Sequence, residues 1–209
     1  MPDTNFIEIL DKIGDEFLGV FSKRKDTHFI ETKDYGWFNA RYSSPNFRVA
    51  HIEKFIQEKF AAIHVCVFPN INDPSPIFGF DIISGKSKIT GLFYDLSPVG
   101  YETVPFINFI PTKPRERPEW GDIFSNNWVA CKPTVEELDA ITKNAYRVLE
   151  NYLDNLPKIS TDINTIIEKQ NRYCKQQKLN DQTFSALKFI IGEELASEFM
   201  DEVLFPEIK

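Results

Sequence analysis

The chain predicts an α+β fold, an antiparallel sheet covered by helices. Three observations carry that prediction. Residues 61–98, AAIHVCVFPNINDPSPIFGFDIISGKSKITGLFYDLSP, hold three runs rich in β-branched and aromatic side chains, Ile63–Phe68, Ile77–Ser84 and Ile89–Leu96. The breaks between them, PNINDPSP and SGKS, are turn formers, so the segment reads as a strand–loop–strand–turn–strand meander. From Pro133 onward the apolar spacing becomes helical. Last, 209 residues with nineteen Phe and 42% hydrophobic side chains can fill one core, so 1–209 is read as a single domain.

The elements follow in order. Phe6, Ile9, Leu10, Ile13, Phe17, Val20 and Phe21 recur at helical spacing, predicting an amphipathic helix over 3–22 capped by Asp3 or Thr4. Residues 27–43 read as strand, a Tyr-Gly break, then strand, and Phe47–Ile56 as another strand ahead of the meander. The proline-rich stretch 99–119 predicts a long ordered loop held by Phe106, Phe109 and Trp120, and 122–132 a final strand. Thr134 followed by Glu137 is a capping box opening a helix whose stripe is Leu138, Ile141, Ala145, Val148, Leu149 and Tyr152. Residues 160–178 predict a second helix, opened by Ser160 or Thr161. Asn180 and Asp181 cap a third, over 182–204.

Composition removes several function classes. A formal charge of −7 disfavours a general nucleic-acid binder. Cys66, Cys131 and Cys174 are scattered and without CxxC spacing, which argues for reduced thiols and against a disulfide framework, a zinc site or an iron–sulfur cluster. No apolar run reaches the roughly 20 residues of a membrane span, and the start lacks a secretory pattern. The expectation is a soluble, cytoplasmic protein. No GxGxxG, P-loop or GxSxG is present, so nucleotide-dependent and serine-hydrolase chemistry lack support.

The oddity is ionisable groups inside apolar strands. A carboxylate between Phe80 and Ile82 is costly to bury unless paired or protonated. Centring the first meander loop between Asn72 and Asp73 sets His64 opposite Asp81. Centring the second between Gly85 and Lys86 sets Asp81 opposite Thr90, and a turn at Glu58–Lys59 sets Glu53 beside His64, where a one-residue slip would set Ile52 instead. The outcome is a row, Glu53–His64–Asp81–Thr90, on one sheet face. Taken alone, His64 reads best as a hydrogen-bonded core histidine, and Asp81 as a carboxylate with a job. Together they point to proton chemistry with titrations that belong to the pair. His51 and His28 read as surface or supporting residues. A metal site from the same row is weighed and set aside, because the strand spacings bring only one or two ligands within reach. Asn180-Asp181 by itself is a helix cap, and Arg115 and Arg117 are solvated loop charges.

IHVCVFP, PIFGFDIISG, YDLSP, RERPEWGDIFS, NRYCKQQKLND and FMDEVLF, in this order and spacing, resemble the ferredoxin-dependent bilin reductases, closest to the phycocyanobilin-forming branch. The match runs from about Phe47 to the C-terminus. The resemblance implies a three-layer α/β/α sandwich with a central antiparallel β-sheet flanked by helices. It also implies biliverdin IXα as substrate between the sheet and the C-terminal helices, no bound metal or flavin, and single electrons from reduced [2Fe–2S] ferredoxin. The protein would be a monomer that protonates bilin radicals and needs neither nucleic acid nor membrane. By the same resemblance the central aspartate is Asp81 and its partner His64, and the acid for the D-ring vinyl group is Glu53. The preceding histidine is His51, the propionate-binding arginine Arg115, and the hydroxyl residue beside the aspartate Thr90. The late Asn-Asp is Asn180 and Asp181, the latter matching a second catalytic aspartate of phycoerythrobilin-forming relatives. An apolar pocket would raise the pKa of Asp81 and keep it able to donate. Candidate basic patches for an acidic ferredoxin are Lys113, Arg115, Arg117 and Lys132, or the Lys169–Lys178 helix end. The undistinctive start and the Phe-, Ile-, Asn- and Lys-rich composition fit viral relatives that make phycoerythrobilin, whereas Glu53 favours phycocyanobilin. Both products stay open here, as does a non-catalytic bilin carrier.

Overall fold

The computed structural model describes residues 5–24, 27–33, 36–100 and 109–209, with the backbone alone at 27–33 and 190. The expected caps Asp3 and Thr4 and the loop anchor Phe106 lie outside the described residues, and the side chain of His28 does too.

Seven strands form one sheet in which every strand pairs antiparallel with the next: β1 (Thr27–Lys33), β2 (Trp37–Ser44), β3 (Phe47–Ile56), β4 (Phe60–Pro69), β5 (Ile77–Gly85), β6 (Lys88–Ser97) and β7 (Val129–Cys131). Alternation then divides the side chains between two faces. Ile52, Ile63, Val65, Phe80, Ile82 and Tyr94 bury one face under α1 (Phe6–Ser22) and α2 (Val135–Asp154). Trp37, Phe55, Cys66 and Phe68 line the other, under α3 (Ile163–Lys178), α5 (Glu193–Phe199) and a π turn at Met200–Leu204. The molecule is therefore a three-layer α/β/α sandwich. Among the described residues no helix is long and apolar enough to cross a membrane.

Helix α1 is capped by Asn5, whose side chain accepts from the Ile7 N–H, and it buries Leu10, Phe17 and Phe21 completely. Alone, a helix of this length is marginal in water; that apolar stripe supplies its stability. In α2 the capping box at Thr134 and Glu137 is formed in both directions. Three boundaries differ from expectation. Only Val129–Cys131 of the 122–132 segment is strand, because the buried Asp95 carboxylate accepts from both the N–H and the hydroxyl of Ser125 and pulls the chain off the ladder into a 3-10 turn at Gly121–Ile123. Helix α3 starts after Asp162, and the Ser160 expected to open it instead donates its N–H to the Asn72 carbonyl and accepts from the Asp162 N–H through its hydroxyl. The expected helix over 182–204 breaks at Gly192, with α4 spanning Asp181–Ile191 before it and α5 after it.

Gly192 has φ 84 and ψ 164, a region open only to glycine. Nothing lies within 4 Å of where a Cβ would sit, so a substitution there would strain the backbone without a clash. Gly192→Ala is expected to cost about 1–3 kcal/mol, read as a lower denaturant midpoint with an unchanged slope.

Candidate active site

The β3–β4–β5 register brings three predicted residues into one line: Glu53 is the Cα partner of His64, and His64 of Asp81. The fourth place in the row is not Thr90. The β5–β6 turn is Lys86–Ser87, two residues beyond the expected centre sum, and a bulge between Ile83 and Ser84 adds one more shift, so Asp81 faces Phe93. Thr90 sits at that bulge and its hydroxyl donates to the Ile83 carbonyl. The line instead gains a member at its other end, Asn39 on β2, the partner of Glu53.

His64 Nδ1 lies 2.5 Å from Asp81 Oδ1. Burial pulls the imidazole pKa down, but the Asp81 charge and hydrogen bond overcome it, with Glu53 adding, and raise it from 6.5 to about 9. His64 is therefore charged at neutral pH, and the Asp81 side chain against it is 38% exposed rather than set in the dry pocket the sequence suggested. The second ring nitrogen, Nε2, is buried and has no hydrogen-bond partner. A charged imidazolium with an unmet N–H is a donor waiting for an acceptor.

His51 is fully buried, not a surface residue, and its ring stacks on that of His64 at 5.1 Å. Its Nε2 is 3.2 Å from the Leu204 carbonyl, which can only accept, so Nε2 carries a hydrogen. Its Nδ1 is 3.0 Å from both oxygens of Glu53. Two atoms with only lone pairs do not make that contact, so a proton is shared between Nδ1 and the Glu53 carboxyl. Asn39 Nδ2 also donates to Glu53 Oε1, at 2.5 Å. The sheet face thus stores two shared protons side by side, one in each histidine–carboxyl pair.

The His64 shift links this site to stability. Its folded pKa is about 9 and its unfolded value 6.5, so the contribution is fully present below pH about 6.5 and lost as pH rises toward about 9. The shift corresponds to roughly 3 kcal/mol. Unfolding free energies at pH 6 and pH 9 are expected to fall by a few kcal/mol more for the wild type than for His64→Gln.

Next to these pairs the sheet is open. The helix-covered face of β4–β6 buries Ile63, Val65, Ile82, Leu92 and Tyr94, whereas Ala62, His64, Asp81, Ile83, Gly91 and Phe93 on the site face all keep some exposure. Ile83, 40% exposed, is an apolar side chain on that face left partly open to solvent. At the far end the Arg115 guanidinium lies over Gly91, where a Cβ would come within 3.4 Å of it, and donates to the Thr90 carbonyl at 2.5 Å. Gly91 leaves the room that the guanidinium occupies. The floor is thus an apolar strip with proton donors at one end and a cation at the other.

Arg117 is spent on the carbonyls of Gly121, Phe124 and Ser125 and over the Trp128 ring. Lys178 pairs with Asp201 and Glu207, Lys175 with Glu207, and Arg172 with Asp122. The bridge between Pro114 and Cys131 gathers Lys113, Arg115 and Lys132 at the β7 edge. Asn180 caps α4 by accepting from the Gln182 N–H, and Asp181 is exposed in its first turn; among the described residues neither bonds to the histidine–carboxyl pairs. Tyr173, a residue the sequence reading passed over, stands over Gly79 and receives a bond from Gln177.

All three cysteines are free and buried. Donor atoms of His51, His64 and Cys66 lie within 4.8 Å of one another, a grouping hidden in the sequence because β3 and β4 bring it together. A metal there would have to break one of the two bonds of the His51 ring and take a proton from the Cys66 thiol, which burial pushes well up.

Comparison with known proteins identifies the family. The family described as ferredoxin-dependent bilin reductase matches residues 13–206. Phycocyanobilin:ferredoxin oxidoreductase of Trichodesmium erythraeum is 30% identical over 186 residues, covering 80% of this chain and 75% of that protein. The protein of the same name from Prochlorococcus marinus is 34% identical over 190 residues, covering 83% and 76%. The solved structure of PcyX superposes with a TM-score of 0.71 at 25% identity, covering 96% of this chain and 99% of that one. With a family match across nearly its whole length, the chain belongs to the ferredoxin-dependent bilin reductases and is an oxidoreductase.

Proposed function

We propose that the protein reduces biliverdin IXα to phycocyanobilin, taking four electrons singly from reduced [2Fe–2S] ferredoxin and adding four protons. The observation that carries this is the buried, unpartnered Nε2–H of a charged His64, next to Asp81 at the edge of an open apolar strip. A bilin offers what that donor lacks, a lactam carbonyl oxygen, on a planar apolar ring system that suits Ala62, Ile83 and Phe93. Each electron makes the pigment more basic, and the His64–Asp81 pair then passes it a proton. Glu53, beside His51, serves the vinyl group of the D ring. That role favours phycocyanobilin and accords with the name the curated relatives carry. After each transfer the pairs reload from solvent through the exposed edge of Asp81. The iron–sulfur protein supplies the electrons, and this chain orients the pigment and protonates it.

Arg115 grips a propionate at the other end of the strip. Arg115→Leu is expected to weaken biliverdin binding about 10-fold, the low end for a charge-assisted hydrogen bond at an exposed site, with little change in the rate once the site is saturated. Absorbance titration without ferredoxin reads the first quantity, and saturated turnover the second. Lys113 and Lys132, beside Arg115 on the β7 edge, make a local basic face for an acidic ferredoxin on a chain of net charge −7. The direct test of the proposal is to titrate biliverdin into the protein and then add reduced ferredoxin under nitrogen. Loss of the biliverdin absorbance in favour of a shorter conjugated system supports it. A pigment that binds and stays unreduced identifies a carrier.

A further inference from the structure

We infer that Asn39 is a positioning residue of this reaction, whose amide holds the Glu53 carboxyl both with and without its proton. The inference rests on the reading of Glu53 as a proton donor to the pigment. Asn39 is on β2, fully buried, and extends the Glu53–His64–Asp81 row to a fourth strand. Its Nδ2 donates to Glu53 Oε1, while its Oδ1 is buried and meets no partner.

The unmet oxygen is what separates this residue from an ordinary core amide. A buried asparagine kept for packing or for the sheet would have both ends satisfied, or would be replaced by an apolar side chain of the same size at little loss. Here one end serves Glu53 and the other is idle. An amide presents a donor and an acceptor on opposite sides of one rotatable bond. With Glu53 ionised, Nδ2 faces it, as observed. When the proton shared with His51 moves fully onto Glu53, a half turn of the amide offers Oδ1 to the new O–H. Either orientation leaves one amide end idle, so neither protonation state is favoured strongly, and the carboxyl stays in line while its proton comes and goes. His51 Nδ1 stays bonded to the carboxyl in either state, because the shared proton lies between them and the Leu204 carbonyl keeps Nε2 a donor; Asn39 is the second hold, from the opposite strand. A leucine at position 39 would hold neither state.

The test compares Asn39→Leu and Asn39→Thr with Glu53→Gln, using folded, pigment-loaded protein. Asn39→Leu is expected to bind biliverdin normally and to slow the Glu53-dependent step about 10-fold or more, so that it accumulates the same partly reduced pigment as Glu53→Gln. Adding it to Glu53→Gln should cause no further loss. Asn39→Thr, whose hydroxyl both donates and accepts, should restore part of the rate. A carboxyl infrared band that disappears in Glu53→Gln should shift in Asn39→Leu. A native product pattern together with an unshifted band in Asn39→Leu overturns the inference, as does failure of both position-39 variants to fold, which would make the amide structural. If Glu53→Gln itself gives the native product, then the assignment of Glu53 is what has failed.

Discussion

Asp81→Asn is expected to bind biliverdin with near-native affinity and to lose turnover by about 10²–10⁴-fold, the range a positioned acid supplies. Asparagine fills the same space, so neither the sheet nor the apolar strip changes. What changes is the proton. The Asp81 charge and hydrogen bond are what hold the His64 pKa near 9 against the opposing effect of burial. Without them His64 loses its extra proton at neutral pH, and the site has no charged donor beside the pigment. Electron delivery does not depend on Asp81, so the first electron should still arrive and the bilin should stall as a radical. Electron paramagnetic resonance and absorbance after one equivalent of reduced ferredoxin check this. Turnover at the wild-type rate would remove Asp81 from the mechanism.

Glu53→Gln is the second large effect, and a selective one. Glutamine can still bond Asn39, but it cannot take up the proton that His51 Nδ1 now shares with the carboxyl. The Asp81–His64 hydrogen bond, on the adjacent strand pair, is kept, and the Asp81 charge and bond, the larger of the effects raising the His64 pKa, remain. Reduction is therefore expected to begin normally and to halt after two electrons, with the fully reduced product falling by about 10²-fold. Product separation over time distinguishes this from a general slowing. An unchanged four-electron product would show that the D-ring proton comes from elsewhere.

Much of this was legible in the sequence, and the failures have local causes. The Glu53–His64–Asp81 alignment was reached by choosing the two turn centres that complete the row, and the structure has that register, with the Gln57 N–H donating to the Phe60 carbonyl across the turn at Glu58–Lys59. The Thr90 register failed because the turn lies at Lys86–Ser87, one residue past its expected place, and because the bulge beyond it carries no strong residue signature. Another bulge, between Tyr42 and Ser44, hid Asn39: a plain hairpin about Pro45–Asn46 would set it opposite Ile52, on the wrong face. The surface reading of His51 failed, and the supporting one held, because its covering group, the Leu204 carbonyl, is 153 residues away in the chain. Asp81 was expected in a dry pocket from its apolar sequence neighbours, but those point to the opposite face. Alternating burial in β4–β6, which marks the open strip, exists only once the helices are in place.

The central claim is that this sheet face protonates a bilin while ferredoxin reduces it. The most direct measurement is an anaerobic reaction of the protein with biliverdin IXα and a regenerated pool of reduced ferredoxin, with the pigments separated by chromatography and the electrons counted. The account predicts four electrons consumed per pigment and phycocyanobilin as the product. Phycoerythrobilin would keep the four-electron chemistry and overturn the assignment of Glu53 to the D ring. Biliverdin recovered unchanged from a tight complex would contradict the claim and leave the protein a bilin carrier.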